Sequence, residues 1–348
     1  MKKIFIAVLA VAALASCATD EIVSTPKGAA IGFDEAFVDN STRANDLNKA
    51  NLEGFNVYGT VTKATTGIIF NGTLVSKSVT NGELSSSYKY EGTQYWIPSA
   101  AYYFVALAPA TPDAEWSYDY GTDDNAYSGE ITFNNGEGDA NANQDLIFAS
   151  ATRSTGDSID ANIAAVSFTF EHILSRIKFT FTNGFDASNN ITLKVTDVIL
   201  NGLYPTGKVA VADGQVGTWS VEGATFNKAF GDAVYSTDNI MGANNSATTE
   251  HFYVIPTNVT YTVTFKVTLY QAGVEIDTYD RQAEVTIDAQ KGYSYEVKAT
   301  LTAENVSDED AALEPIEFDV NEVNGWENFT EVTVPEDGVE KIPAQGNN

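Results

Sequence analysis

Tyr-Thr-Val-Thr-Phe-Lys-Val-Thr-Leu, residues 261–269, is the stretch that decides the fold class of this chain. Apolar and polar residues alternate at every position, so a β-strand would place all the apolar side chains on one face. The alternation continues at Val285 and Ile287 and returns in residues 293–301, where it follows a turn residue, Gly292. These two runs predict a β-hairpin, with Gly292 in a backbone conformation of positive φ.

Other segments carry the same strand pattern. Residues 55–61, 102–108 and 191–200 read as strands, and Asn-Gly or Asp-Gly pairs separate such runs along the chain. Residues 46–52 are the one stretch that could form a helical turn. The pattern therefore predicts an all-β protein built of β-sandwiches.

The chain is long enough for two ordinary domains, and a change of composition suggests where they meet. Residues 151–163 are small and polar, with few side chains able to anchor in a core. We therefore predict an N-terminal β-sandwich over residues 44–155 and a C-terminal β-sandwich over residues 156–314.

The apolar positions change phase around His172. Phe168 and Phe170 occupy even positions, whereas Ile177 and Phe179 occupy odd ones. One extra residue near His172 would return both pairs to the same face, so the pattern predicts a single strand with a β-bulge. His172 would then be a structural residue of the bulge rather than a catalytic base.

The first residues read as an export signal that ends at the only cysteine, Cys17. Lys2 and Lys3 precede an apolar run over residues 4–14, which is too short to span a bilayer. The small residues before Cys17 resemble a bacterial lipobox, which implies a signal peptide over residues 1–16 and a lipid on Cys17. An ordinary signal peptide with an incidental cysteine is the alternative.

Charge and composition exclude several classes of function. The formal net charge of −28 repels phosphate backbones, so no nucleic-acid partner is expected. The sequence has no phosphate-binding loop, dinucleotide fingerprint or nucleophile elbow, and His172 and His251 lie outside metal-ligand spacings. We therefore expect no catalytic residue, no metal site and no cofactor, and the protein is predicted not to be an enzyme. The acidic residues 113–145 could hold calcium, although a solvated loop is the simpler interpretation.

Several motifs resemble the fimbrillin family, the type V pilins of Bacteroidetes that include the Mfa-like lipoproteins. The first motifs are the lipobox at Cys17, a short strand at residues 30–33 and a Ser-Thr-Arg-Ala site at residues 41–44. Later motifs lie at residues 52–57, 95–96, 102–106, 145–149, 170–179 and 291–295. The resemblance rests on the order of these motifs along one lipoprotein.

The resemblance implies a fold, a role and a maturation step. The fold would be two tandem transthyretin-like Greek-key β-sandwich domains, and the role that of a pilus (fimbria) subunit at the outer membrane that contributes to cell adhesion. The implied partners are other pilus subunits, self or related, and outer-membrane lipid reached through Cys17. A surface arginine-specific protease would remove the first strand, and the C-terminal strand of a neighbouring subunit would replace it.

The residues themselves offer a cleavage site between Arg43 and Ala44. Of the four arginines in the chain, Arg43 stands in a polar turn after a strand-like stretch, and exposed turns are where proteolysis succeeds. Arg176 and Arg281 lie within strand patterns, whereas Arg153 lies in the expected linker and is the competing site. Arg43 could also be a plain surface charge.

Removal of the segment 17–43 would take Ile31 and Phe33 out of the core, together with apolar residues further along the strand. Each buried apolar side chain contributes about 1.5–3 kcal/mol, so the gap would be worth roughly 6–10 kcal/mol. A donor strand would refill the gap and restore the backbone ladder. The candidate donor is the segment 315–348, whose apolar positions include Ile316, Phe318, Val320 and Trp326. This segment could equally form the last strands of the second domain.

A second interpretation is a surface lipoprotein that does not polymerise and binds a glycan or a host protein. Its stacking platforms would be the four tryptophans, Trp96, Trp116, Trp219 and Trp326. Two fimbrial variants also stay open, because a tip subunit would keep its C-terminal strands folded and an anchor subunit would keep its lipid. Ser158 lies in an Asp-Ser-Ile sequence that resembles the O-glycosylation acceptor of this group.

Overall fold

The structure is a computed structural model that describes residues 28–38, 47, 51–80, 83–110, 116–120, 126–135, 143–307 and 316–323. Strands dominate these ranges, which confirms the predicted all-β class. The helical elements within them are a 3₁₀ turn at Ala187–Asn189 and a one-turn helix, α1, at Ala303–Val306. None of the described helices is long and apolar enough to cross a membrane. Four residues singled out above, Cys17, Arg43, Ala44 and Trp326, lie outside the described ranges.

Nine strands are described in the first part of the chain. They are β1 (Phe33–Val38), β2 (Gly54–Thr62), β3 (Thr66–Thr80), β4 (Glu83–Tyr90), β5 (Ala101–Ala108), β6 (Trp116–Asp119), β7 (Gly129–Asn134), β8 (Ile147–Ser154) and β9 (Val166–His172). Seven of them form one sheet in the order β1-β9-β8-β5-β2-β3-β4. Its neighbours are antiparallel except β1, which runs parallel to β9. The sheet curls so that its edge strands β1 and β4 come into contact. Buried side chains of this sheet, such as Phe55 and Phe104, form the first apolar core.

Eleven strands are described in the second part. They are β10 (Ser175–Asn183), β11 (Ile191–Leu203), β12 (Thr206–Ala212), β13 (Gln215–Glu222), β14 (Phe226–Gly231), β15 (Ser246–Thr248), β16 (Phe252–Val254), β17 (Asn258–Gln271), β18 (Val274–Asp288), β19 (Ser294–Leu301) and β20 (Phe318–Val323). One sheet has the order β15-β10-β19-β20, with β16 also paired to β10, and another has the order β14-β11-β17-β18. Buried side chains from both sheets, such as Phe179 and Val263, form the second apolar core.

A further sheet is shared by the two parts of the chain. Its order is β13-β12-β7-β6, and β7 pairs with β12 along its length. Ile131, Val209 and Trp219 from this sheet pack with Val105 and Phe148 of the first sheet and form a third apolar core. The two parts are therefore joined by packing as well as by the chain, and the tandem transthyretin-like topology stays a prediction.

The predicted hairpin between residues 285 and 301 is wrong. β18 belongs to one sheet of the second sandwich, whereas β19 belongs to the other and pairs with β10 and β20. Alternation identifies the side of a strand that faces the core, and strands of two facing sheets satisfy it equally well. The turn residue itself was predicted correctly, because Gly292 has a φ of 74°.

The predicted bulge at His172 is also wrong. β9 ends at His172, and Ile173 and Leu174 are buried in the third core before β10 begins in another sheet. The change of phase therefore marks the passage of the chain between sheets. The predicted domain limit between residues 155 and 156 would leave β9 in the second domain, although β9 completes the first sheet.

Candidate functional site: the closing strand and the C-terminal strand

The first described residues close the curled first sheet. Ile31 N donates a hydrogen bond to Gln94 O at 2.8 Å, and Trp96 N donates to Ala29 O at 3.0 Å. The chain then continues into β1, which pairs with β9 at the opposite edge of the sheet. The segment of residues 29–38, called the closing strand below, therefore connects the two edges.

Phe33 lies at the centre of the aromatic core that the closing strand completes. Its side chain and that of Ile31 are buried, with 5% and 2% of the residue surface exposed. The Phe33 ring centroid lies 5.4–6.3 Å from five other ring centroids, those of Phe55, Phe70, Tyr90, Phe104 and Phe168. Such pairs contribute about 0.5–1.5 kcal/mol each beyond the burial of apolar area. Loss of Phe33 would therefore weaken many contacts at once.

The residues around the closing strand provide a hydrogen bond to its backbone and space for the surrounding rings. The Tyr90 hydroxyl donates a hydrogen bond to Ile31 O at 2.7 Å. Burial raises the pKa of Tyr90, with partial compensation from the hydrogen bond that Gln94 N donates, so the hydroxyl keeps the proton it donates. Gly59 leaves room for the rings, because a Cβ there would lie 2.9 Å from Phe104.

Sequence analysis missed this receiving edge. The ladder between residues 29–31 and 94–96 joins segments far apart in the chain, and periodicity carries no information on such partners. The alternation of Tyr88 and Tyr90 at the end of β4 was the available signal, since it marks a face that turns toward an apolar core.

Arg153 lies in a strand and not in a linker, which contradicts the prediction that it is an accessible cleavage site in competition with Arg43. It lies in β8, and its guanidinium donates hydrogen bonds to the carbonyl oxygens of Ala164 and Ala165. The same group lies 5.1 Å from the centre of the Trp96 ring, a cation–π distance. A protease would have to break these contacts before it could bind the chain here.

The two arginines predicted to be in strands are held as well. Arg176 in β10 is fully buried, and its Nε donates a hydrogen bond to Ser294 Oγ at 2.6 Å. Arg281 in β18 donates to the carbonyl oxygens of Asp280 and Val306. Each arginine within the described ranges is therefore engaged by regular structure.

The candidate donor residues lie in the second sandwich. β20 pairs antiparallel with β19 at the edge of its sheet, and Ile316 is 8% exposed. The Phe318 ring lies 6.0–6.4 Å from three rings of the second core, those of Phe179, Phe181 and Phe265, and Val320 packs against the same core. The sequence left open whether this segment is a donor strand or the last part of the second domain. In this structure its described residues are packed as the last part of the second domain.

Three of the four candidate stacking platforms are buried, which contradicts their predicted role. Trp96, Trp116 and Trp219 have only 2%, 3% and 7% of their surface exposed. Trp219 Nε1 donates to Ile173 O at 2.7 Å inside the third core. Ser158, in contrast, is exposed in a bend between β8 and β9, as an acceptor for a sugar must be.

The two histidines also lie inside packed structure. His172 Nδ1 lies 2.9 Å from Asp145 Oδ2, and the ring of His251 packs edge-on against Tyr253 at 5.2 Å. Among the residues that the structure describes, no group of three or more His, Cys, Asp or Glu side chains could hold a metal ion.

Comparison with known proteins places the chain in a family. A family model described as fimbrillin-like matches residues 42–320, and the chain therefore belongs to the fimbrillin-like family. A fimbrial protein from Bacteroides vulgatus has a similar structure over 85% of this chain and 99% of its own, with 17% identity and a TM-score of 0.58. A proposed cell adhesion protein from Bacteroides uniformis is similar over 87% of this chain and 99% of its own, with 16% identity and a TM-score of 0.46. A comparison with curated proteins gives no match.

Proposed function

We propose that this protein is a fimbrial subunit that contributes to cell adhesion, as its membership of the fimbrillin-like family supports. It is exported as a lipoprotein and held at the outer membrane through Cys17. An arginine-specific protease at the cell surface cuts after Arg43, the closing strand leaves, and the C-terminal strand of a neighbouring subunit takes its place. The subunits polymerise by repeating this exchange.

The observation that carries the proposal is the closing strand itself. It inserts Ile31 and Phe33 into the first core, yet it is joined to the remainder of the sheet by backbone ladders at its two sides. A strand held in this way can be replaced by any segment that supplies the same ladder and the same two side chains. Strand exchange uses this property.

The C-terminal strand offers a matching segment. Ile316-Glu317-Phe318 repeats the spacing of the two core side chains in Ile31-Gly32-Phe33. The residue at position 32 has space, because a Cβ on Gly32 would meet a single neighbour, Ala165 Cβ, at an ordinary 3.7 Å. Glu317 of a donor would fit where Gly32 lies, which favours a second copy of this chain as the donor.

The test is limited digestion of the chain from Cys17 with an arginine-specific protease, followed by intact mass and unboiled SDS gels. We expect one cut, after Arg43, and a ladder of oligomers that resists SDS. Arg43→Ala should abolish the cut and the ladder. Arg153→Lys, the matched control, removes the arginine but keeps a cation beside Trp96, and it should leave both intact. A clean cut at Arg43 with a subunit that stays monomeric would contradict polymerisation.

A terminal subunit is the second candidate, because β20 is already paired in its own sheet. Such a subunit would accept a donor strand after cleavage but would not give its own. Mixing the cut chain with a synthetic peptide of residues 315–323 separates the two cases. A terminal subunit would bind the peptide and form no ladder in its absence, whereas a polymerising subunit would form a ladder that the peptide blocks.

We also propose Ser158 as a site of O-glycosylation, since its exposed position in a bend leaves it accessible. Intact mass of the protein purified from its native host should exceed the sequence mass by a glycan. Ser158→Ala should remove this excess, and an unchanged mass would refute the assignment.

A further inference from the structure

Asp145 is a buried carboxylate that contacts the segment just after the proposed cleavage site. It is 2% exposed, and its Oδ2 accepts a hydrogen bond from the backbone N of Leu47 at 2.9 Å. His172 Nδ1 lies 2.9 Å from the same oxygen and 3.1 Å from Oδ1. His172 is also buried, at the end of β9. One carboxylate therefore joins the chain after the cut to the body of the first sheet.

The carboxylate is held in place by that sheet. His172 pairs with Ile147 across β9 and β8, and Ile173 N donates to Leu146 O at 3.0 Å directly beside Asp145. A buried carboxylate is stable only with hydrogen-bond partners, and bonds to an ionised oxygen are stronger than neutral ones. Leu47 N is therefore hydrogen-bonded to a carboxylate whose position is fixed by the first sheet.

The backbone hydrogen bond of Leu47 is separate from the backbone ladders of the closing strand. The closing strand pairs with β9 and with residues 94–96, whereas Leu47 N bonds to Asp145. The Leu47 side chain packs against the same core that Ile31 and Phe33 enter. The chain can therefore lose the ladders of the closing strand and keep the hydrogen bond of Leu47.

We propose that Asp145 and His172 form a clasp that keeps Leu47 on the body of the subunit when the closing strand leaves. This inference rests on the proposed cleavage after Arg43. The clasp retains Leu47 as part of the wall around the vacated position, so an incoming strand meets a core of unchanged shape. Asp145 is a positioning residue in this scheme.

Hydrogen exchange at the Leu47 amide tests the clasp. It is measured by mass spectrometry with fragmentation that resolves single amides, in the intact chain and in the cut chain after the closing strand has been displaced. We expect the wild-type amide to stay protected after the cut. Asp145→Ala should speed its exchange by at least about tenfold, equivalent to roughly 1.4 kcal/mol, while amides in β5 and β8 keep their rates. His172→Gln, which retains an N–H donor for the carboxylate, should stay near the wild type.

The other possible outcomes of this experiment also test the clasp. Free exchange of Leu47 in the cut wild type, or an Asp145→Ala rate equal to the wild type, would overturn the clasp. If Asp145→Ala does not fold, Asp145→Asn replaces it. Asparagine keeps an acceptor oxygen but carries no charge, so we expect a Leu47 exchange rate between those of the wild type and of a chain without the contact. If the protease does not cut after Arg43, the proposed maturation fails, and the clasp is judged in the intact chain by the same comparison.

Discussion

Phe33 is a single side chain on an edge strand, yet it contacts five rings that come from five other strands of the sheet. Its position explains how a terminal segment can matter to a whole core. Without Phe33, the five rings around it lose their common neighbour. Packed interiors respond strongly to a missing side chain, because the surroundings relax only in part.

Phe33→Ala should therefore lower the free energy of unfolding by about 3–5 kcal/mol, the usual cost of removing a buried aromatic side chain. Chemical denaturation of the uncut chain measures this loss. Tyr95→Ala is the matched control, since Tyr95 lies in the same ladder but is 37% exposed, and it should cost far less. Equal effects of the two substitutions would contradict the central place given to Phe33.

Glu296 shows how the second sandwich holds charge beside its core. Its Oε1 accepts hydrogen bonds from Lys178 at 2.9 Å and from Thr180 at 2.8 Å, and its Oε2 lies 3.0 Å from Lys298 Nζ. Burial alone would raise the pKa of Glu296, but the bonds from Lys178, Lys298 and Thr180 outweigh burial and lower the pKa below its usual value. The ionised carboxylate is thus the form that stabilises the fold.

A lowered pKa in the folded state gives stability that is present above the unfolded pKa, near 4.5, and is lost as the pH falls through the folded value. Glu296→Gln should cost on the order of 2 kcal/mol at neutral pH, less than a fully buried pair would, because Lys298 is partly exposed. The difference from the wild type should shrink below about pH 4. Urea denaturation across this range measures it, and a difference that does not change with pH would refute the assignment.

At the scale of elements, the closing strand and β20 are similar in what they offer. Both are edge strands. The closing strand inserts Ile31 and Phe33 into an aromatic core, and Phe318 of β20 enters another together with Ile316, two residues before it. Exchange of one for the other would conserve the type of contact in the first core. Its cost is the release of β20 from β19, where Phe318 leaves three ring contacts behind.

A peptide of residues 315–323 should therefore bind the cut chain and prevent the formation of oligomers. The same peptide with Ile316→Ser and Phe318→Ser should do neither, because it restores the backbone ladder but leaves the core open. Fluorescence anisotropy of labelled peptides measures the binding. We expect at least a hundredfold weaker binding of the double variant, and similar affinities would show that the two side chains do not decide the exchange.

At the scale of the whole molecule, the third core makes the two parts of the chain depend on each other. β6 and β7 come from the first part, β12 and β13 from the second, and their common sheet packs onto the first sheet. Trp219 of β13 contacts residues outside its own part of the chain, since its ring lies 6.4 Å from that of Phe133 in β7 and its Nε1 donates to Ile173 O.

Thermal unfolding should consequently be a single transition rather than the two expected of independent domains. Trp219→Ala should cost about 3–5 kcal/mol and lower the stability of both parts together. Differential scanning calorimetry measures the transition, with hydrogen exchange in β5 and β17 as reporters of each part. Two separate transitions in the wild type, or a loss confined to one part, would contradict this coupling.

The sequence predicted those elements that alternation alone determines. Residues 55–61, 102–108 and 191–200 fall within β2, β5 and β11, and residues 261–269 fall within β17. Alternation failed where a partner had to be chosen. β18 and β19 were therefore paired wrongly, and the passage of the chain between sheets after His172 was interpreted as a bulge. Partners are set by packing between distant segments, which a single sequence does not record.

For the candidate site, the removable strand could be proposed from the sequence, but the edge that receives it could not. Tyr90 and residues 94–96 lie far along the chain from Ile31, and their hydrogen bonds depend on how the sheet curls. Arg153 was misplaced for a related reason, since a polar stretch can still form a strand when its backbone is paired.

The ladders on both sides of the closing strand also affect how fast this strand would dissociate. In the proposed maturation, hydrolysis after Arg43 would break one covalent bond, whereas contacts worth roughly 6–10 kcal/mol would still hold the severed piece in place. A nicked subunit would therefore persist as a two-piece complex, tethered to the membrane by a fragment to which it is no longer covalently joined. Its lifetime would depend on how soon a competing strand arrives, so the supply of donor ends, rather than the protease, would set the pace of growth.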